Sequence, residues 1–163
     1  MSKTYLQAMR EAVNRLNEAG VPDASLDAWY LLSHVTGMSR AKYFMDQRDP
    51  MQDSDLEHFR EMIDRRCERI PLQHLLGEAW FMGLPFYVNE NVLIPRQDTE
   101  KLVELVLEAQ KAGTVPVGGS VLDMCTGSGC IAISLERLGD WQQVVAADIS
   151  EAALKVAKQN AER

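Results

Sequence analysis

The chain has 163 residues, 46% of them hydrophobic and 25% charged, with a formal net charge of −7. That is the composition of a soluble globular protein of one ordinary domain or two small ones. The charge excludes a general nucleic-acid binder, which lives by neutralising phosphates, and no apolar run approaches the ~20 residues that span a bilayer.

The first residues, Met1-Ser-Lys-Thr-Tyr-Leu6, lack the apolar core of a signal peptide. A cytoplasmic protein with no direct DNA or membrane partner is therefore expected, and a monomer. Cys67, Cys125 and Cys130 are odd in number and have no CxxC spacing, and His34, His58 and His74 are scattered, so neither a disulfide framework nor a metal site is expected. The charge is uneven: residues 1–75 hold 10 basic and 12 acidic side chains, residues 76–163 hold 7 and 12. The two parts also differ in pattern, which predicts two structural regions.

Residues 1–70 read as a helical bundle. Leu6, Met9, Val13 and Leu16 recur at helical spacing with Ala12 on the same face, and Gly20 and Pro22 end that helix. Asp23 or Ser25 caps a second helix carrying Leu26, Trp29, Leu32 and Val35 to Gly37. Ser39 caps a short third helix with Tyr43 and Phe44. After Asp49-Pro50, the acids Asp53 and Asp55 open a fourth with Leu56, Phe59, Met62 and Ile63, and its basic end holds Arg65, Arg66 and Arg69. Together with Arg60, those arginines read as a solvated helix end rather than a docking patch.

Residues 71–97 read as a hinge. Trp80-Phe81 and Phe86-Tyr87-Val88 flank Gly83 and predict a hairpin, with Pro85 placing its strand at an edge or starting it late. Either this stretch is a linker that packs two regions together, or its aromatics and Arg96 cover a ligand. Asp98-Thr-Glu100 is expected to cap a helix that buries Leu102, Val103, Val106 and Leu107 and ends at Gly113.

Residues 98–163 then lead into a nucleotide-type βαβ unit. Ser120–Met124 is a short strand, Gly127 and Gly129 make a tight turn, Cys130–Leu138 is a helix, and Gln142–Asp148 is a second strand. Ser150 caps the next helix, through Ala153, Leu154, Val156 and Ala157. Asp148 stands where an acid accepts hydrogen bonds from ribose hydroxyls. The spacing Gly127-x-Gly129-x-x-Ala132 also satisfies the dinucleotide fingerprint, which leaves an NAD(P)-binding oxidoreductase open. Asp123, at the end of the first strand, tilts the choice. A pyrophosphate would meet its negative charge, whereas S-adenosylmethionine carries an ammonium and a sulfonium. A non-enzymatic interaction module is the reading from a different class.

Leu122-Asp-Met-Cys-Thr-Gly-Ser-Gly-Cys-Ile-Ala132 resembles motif I of the class I S-adenosylmethionine-dependent methyltransferases. More specific are Arg69-Ile-Pro-Leu-Gln-His-Leu-Leu-Gly77, Phe81-Met-Gly-Leu-Pro-Phe86 and Val92-Leu-Ile-Pro-Arg-Gln-Asp-Thr-Glu100. These are similar to the HemK/PrmC family, protein-(glutamine-N5) methyltransferases of peptide chain release factors. The resemblance implies an α+β protein: an all-α bundle, a β-hairpin hinge and the start of a Rossmann-like methyltransferase domain. It implies methylation of the glutamine in the Gly-Gly-Gln loop of release factors, with S-adenosylmethionine as donor. Asp123, Cys125, Thr126, Gly127, Ser128, Gly129 and Asp148 would hold the donor, with Phe81, Pro95 and Arg96 of the hinge near it. Two departures stand out. Cys125 replaces the loop's usual first glycine, which is tolerated if the backbone there keeps φ negative. The family's Asn-Pro-Pro-Tyr motif is absent from the sequence, so the chain is expected to be the first half of a longer protein and to carry no catalytic residue itself.

Overall fold

The computed structural model describes residues 3–163. They fall into two compact units, one ending at Leu76 and the other running Gly77–Arg163. The stretch read as one hinge is thus divided between them.

The first unit is built from α1 (Tyr5–Glu18), α2 (Ala24–Thr36), α3 (Arg40–Asp46), α4 (Asp53–Cys67) and the short α5 (Leu72–Leu76). Thr4 opens α1 with a capping box: its hydroxyl accepts from Gln7 N while the Gln7 side chain accepts from Thr4 N. Leu16, Leu31, Leu32, Met51, Phe59 and Ile63 form the fully buried centre. Two expected core positions are exposed, Leu26 at 43% and Phe44 at 63%. The helical period places a residue on a face, but the packing of the five helices decides how wide the buried stripe is. Ala24, Ala28 and Leu31 carry the buried face of α2 instead.

The basic end of α4 is a fastener as well as a surface. Arg66 Nε donates to Asp27 Oδ2 at 2.8 Å, with both side chains largely buried, and its Nη1 donates to Ile70 O at 3.2 Å. Arg69 lies beyond the helix with φ +71 and donates to Gly20 O at 2.7 Å. The expectation of a merely solvated arginine cluster is corrected for these two residues: each satisfies an acceptor on the α1–α2 side of the bundle.

The second unit holds β1 (Glu78–Phe81), β2 (Leu84–Tyr87), α6 (Gln97–Lys111), β3 (Gly119–Met124), α7 (Cys130–Leu138), β4 (Trp141–Ala147) and α8 (Glu151–Ala161). β1 and β2 pair antiparallel around Met82-Gly83, both with positive φ as a type I′ turn requires. Ala79, Phe81 and Phe86 of the hairpin face inward, Phe81 and Phe86 packing edge to face at 6.2 Å. β3 and β4 pair in parallel, from Ser120↔Gln143 to Met124↔Ala147. α7 packs on this pair, and Leu122 and Met124 remain 60% and 65% exposed.

Asp98 and Glu100 were expected to cap α6. The helix starts earlier, after Arg96, and both acids lie in its first turn. Glu100 Oε1 accepts from Met82 N at 2.6 Å, so it fixes the hairpin turn. Leu102 is 51% exposed, and Val103 alone of the four expected core residues is fully buried.

Candidate functional site

The glycine loop follows from β3 and β4 ending side by side. Parallel strands bring Met124 opposite Ala147, and the chain turns across that edge: Thr126 N donates to Ala147 O at 3.0 Å. Asp123 Oδ2 accepts from the Thr126 hydroxyl at 2.7 Å and from Ala132 N, in the first turn of α7, at 3.3 Å. Asp148 Oδ2 accepts from Gly127 N at 2.9 Å, and its Oδ1 from Ser150 N at 2.9 Å. Gly129 N donates to Thr126 O at 2.9 Å, and Ile133 N to Gly129 O at 2.9 Å. The loop is therefore held by two carboxylates, one at each strand end.

These bonds set the charge state of Asp148. Its carboxyl is held below the ordinary aspartate range, first by the Ser150 amide and then by that of Gly127. A lowered folded pKa means that the bracing is fully present above the ordinary aspartate value and is lost as pH falls through the lowered one. The Cys130 thiol is pushed up by burial, so it stays protonated at neutral pH and acts as a packing group.

Cys125 corrects an expectation. It has φ +64, in the left-handed region, rather than the negative φ that would suit a side chain. Its side chain is exposed, so the cost is backbone strain without compensating burial. Cys125→Gly is expected to stabilise the second unit by about 1 kcal/mol, less than the full left-handed penalty because glycine also loosens the unfolded chain. Chemical denaturation of both forms checks this.

Behind the loop stands α8. A Cβ built on Gly129 would lie 3.2 Å from Ala157 Cβ, so only glycine lets the helix approach this closely. One turn on, Asn160 is 3% exposed. Its Nδ2 donates to Ser128 O and to Tyr87 O, each at 2.9 Å, and its Oδ1 accepts from Tyr87 N at 2.7 Å. Sequence reading passed over Asn160. The available signal was a polar residue at the end of the stripe Ala153, Val156, Ala157, where the helical period demands burial.

The remaining site residues divide. Thr126, Ser128 and Gly129 are buried in the loop, Gly127 is partly exposed and Asp148 stands beside it. Pro95 is half-buried and Arg96 exposed, directly ahead of α6. Phe81 is 1% exposed, and its ring is committed to the core with Phe86 and Val103. No helix among the described residues is long and apolar enough to cross a membrane.

Residues 7–77 match the model of the PrmC N-terminal domain, and residues 98–163 match that of ribosomal protein L11 methyltransferase (PrmA). The chain is 37% identical over 161 residues to the release factor glutamine methyltransferase of Chlorobaculum tepidum, covering 98% of this chain and 55% of that protein. To the Bacillus subtilis protein of the same name it is 36% identical over 162 residues, covering 99% and 56%. To the human MTRF1L release factor glutamine methyltransferase it is 39% identical over 153 residues, covering 88% and 44%. The chain spans about half the length of the curated relatives it matches.

Proposed function

We infer, from this chain's membership of the PrmC family of release factor glutamine methyltransferases, that its glycine loop holds S-adenosylmethionine and that the whole protein methylates a glutamine side-chain amide of peptide chain release factors. The observation that carries the donor reading is where the loop amides go. Those of Thr126, Gly127, Gly129 and Ala132 are taken by Ala147 O, Asp148, Thr126 O and Asp123. A pyrophosphate needs such amides free and dislikes the two carboxylates. A cation bearing ribose hydroxyls suits both. Each Asp148 oxygen has a second lone pair after accepting its backbone amide, and so can accept from a ribose hydroxyl as well.

Bound there, S-adenosylmethionine supplies an electrophilic methyl on a sulfonium. The methyl would pass from the sulfonium to the glutamine nitrogen, leaving the neutral thioether S-adenosylhomocysteine, and the N–H proton so released would go to water. A neutral amide nitrogen is a poor nucleophile, so the gain comes from holding it in line with the methyl and accepting hydrogen bonds from its NH2 group. The contribution of this chain is the donor side: Asp148 and Asp123 fix the loop, and α8 supports it from behind. The glutamine of a Gly-Gly-Gln loop is the proposed acceptor, and the helical unit and hairpin are proposed to dock the release factor.

Calorimetric titration with S-adenosylmethionine and, separately, NAD+ tests the donor. Binding of the first and not the second is expected, and the reverse would sink the reading. Asp148→Ala is expected to weaken donor binding at least about tenfold, through loss of charge-assisted hydrogen bonds to both ligand and loop. Methyl transfer by the full-length protein to a release factor, lost when the Gly-Gly-Gln glutamine is replaced by alanine, tests the acceptor.

A further inference from the structure

We propose that Asn160 is a positioning residue that locks the β-hairpin and the glycine loop into one unit, so that the register of the hairpin sets the position of the donor loop. The proposal rests on the donor reading only for what the loop holds. The coupling itself rests on geometry.

A primary amide has two N–H donors. Both of those on Asn160 are used, and on different segments: one bond runs to Ser128 O in the loop, the other to Tyr87 O at the end of β2. The carbonyl of the same side chain accepts from Tyr87 N, so Tyr87 is held through both of its backbone polar groups. Tyr87 and Ser128 are far apart in sequence, and within this unit one side chain joins them. At 3% exposure no water competes for these bonds. Ala157 holds the next loop residue, Gly129, by contact, so α8 presses two consecutive residues of the loop. A helix placed only to cover the sheet would be served as well by an aliphatic residue at position 160. An amide that spends both donors on two separate segments fixes their separation.

The chemistry suggests variants that separate positioning from packing. Asn160→Ala removes all three bonds. Asn160→Asp keeps the volume and an acceptor for Tyr87 N, but aims a carboxylate at two carbonyls. Once protonated, that acid regains one O–H donor. The ionisable side chains beside the position are Tyr87, Arg137 and Arg163. Asp148 on the loop titrates below the ordinary aspartate range, so its bracing persists while the introduced acid takes up its proton.

The test is amide hydrogen exchange of the chain, read at 84–88 and 126–129, alongside calorimetric titration with S-adenosylmethionine. In Asn160→Ala, both segments are expected to lose protection together, and donor affinity to fall by about tenfold or more. In Asn160→Asp, protection and affinity are expected to recover as pH falls through the range of the introduced carboxyl, while the unmodified chain and Asn160→Ala, taken over the same pH values, show no such recovery. Loosening of one segment alone, or an Asn160→Asp variant with no recovery, would overturn the proposal. If Asn160→Ala does not fold, Asn160→Asp carries the test by itself. If the unmodified chain binds no S-adenosylmethionine, the donor reading fails, and the exchange data still decide whether Asn160 couples the two segments.

Discussion

Asp27→Ala is expected to destabilise the helical unit by roughly 3 kcal/mol or more, the low end of what removing one member of a buried ion pair costs. The partner left behind is the Arg66 guanidinium, whose side chain is 14% exposed and whose other bond, to Ile70 O, cannot neutralise it. Small domains have total stabilities of about 5–15 kcal/mol, so this change takes a large share. The pair is not the cheapest solution to the packing problem. Asp27→Leu combined with Arg66→Met should lose far less than either single change, because no charge is then left unpaired. Denaturation curves of the two singles and the double measure the difference, and a double variant as unstable as the sum of the singles would show that packing, not charge, dominates.

Gly129→Ala is expected to cost the second unit about 2–5 kcal/mol and to abolish tight donor binding. Two effects add. At φ +81 a side chain meets the left-handed penalty, about 1–2 kcal/mol. The new Cβ would also lie 3.0 Å from Ile133 Cδ1, 3.2 Å from Ala157 Cβ and 3.4 Å from Ala157 Cα. The isoleucine methyl can swing aside. Ala157 lies in the middle of α8 and cannot, so the loop must rise off the helix, an overpacking cost of about 1–3 kcal/mol. Ala157→Gly in the same chain removes the nearest rigid atom and should return part of the loss, since neighbouring substitutions are not additive. Thermal unfolding and donor titration of the three variants decide it. Full stability in Gly129→Ala would mean that the loop is not held by α8.

Much of the architecture was legible because it rests on local rules. Helical periodicity marked α1, α2 and α4. Aromatic runs on either side of Gly83 marked the hairpin. An apolar run, a Gly-x-Gly turn and a capped helix marked β3, the loop and α7. What escaped depends on contacts between segments. α5 is five residues long, too short for a period to show. Glu100 looks like a helix cap until the Met82 amide is seen to claim it. Arg66 looks like a surface charge until Asp27 faces it. Within the site, Asp123 and Asp148 were identified by type and place, but their engagement with the loop's own amides was not. Two carboxylates at strand ends read equally well as ligand groups and as braces. Cys125 failed differently: its place at a usual glycine was the sign of the positive φ that the turn imposes, and the side chain there suggested a negative one instead.

The braced loop also bears on the thermodynamics of binding. A glycine-rich segment usually surrenders backbone freedom when a ligand arrives, and that entropy is subtracted from affinity. Here Thr126, Gly127 and Gly129 are tied to Ala147, Asp148 and Thr126 by the protein's own groups. Association should therefore be rapid and nearly rigid. Its heat-capacity change should correspond to the apolar surface of the ligand alone, with no added contribution from a loop folding around it.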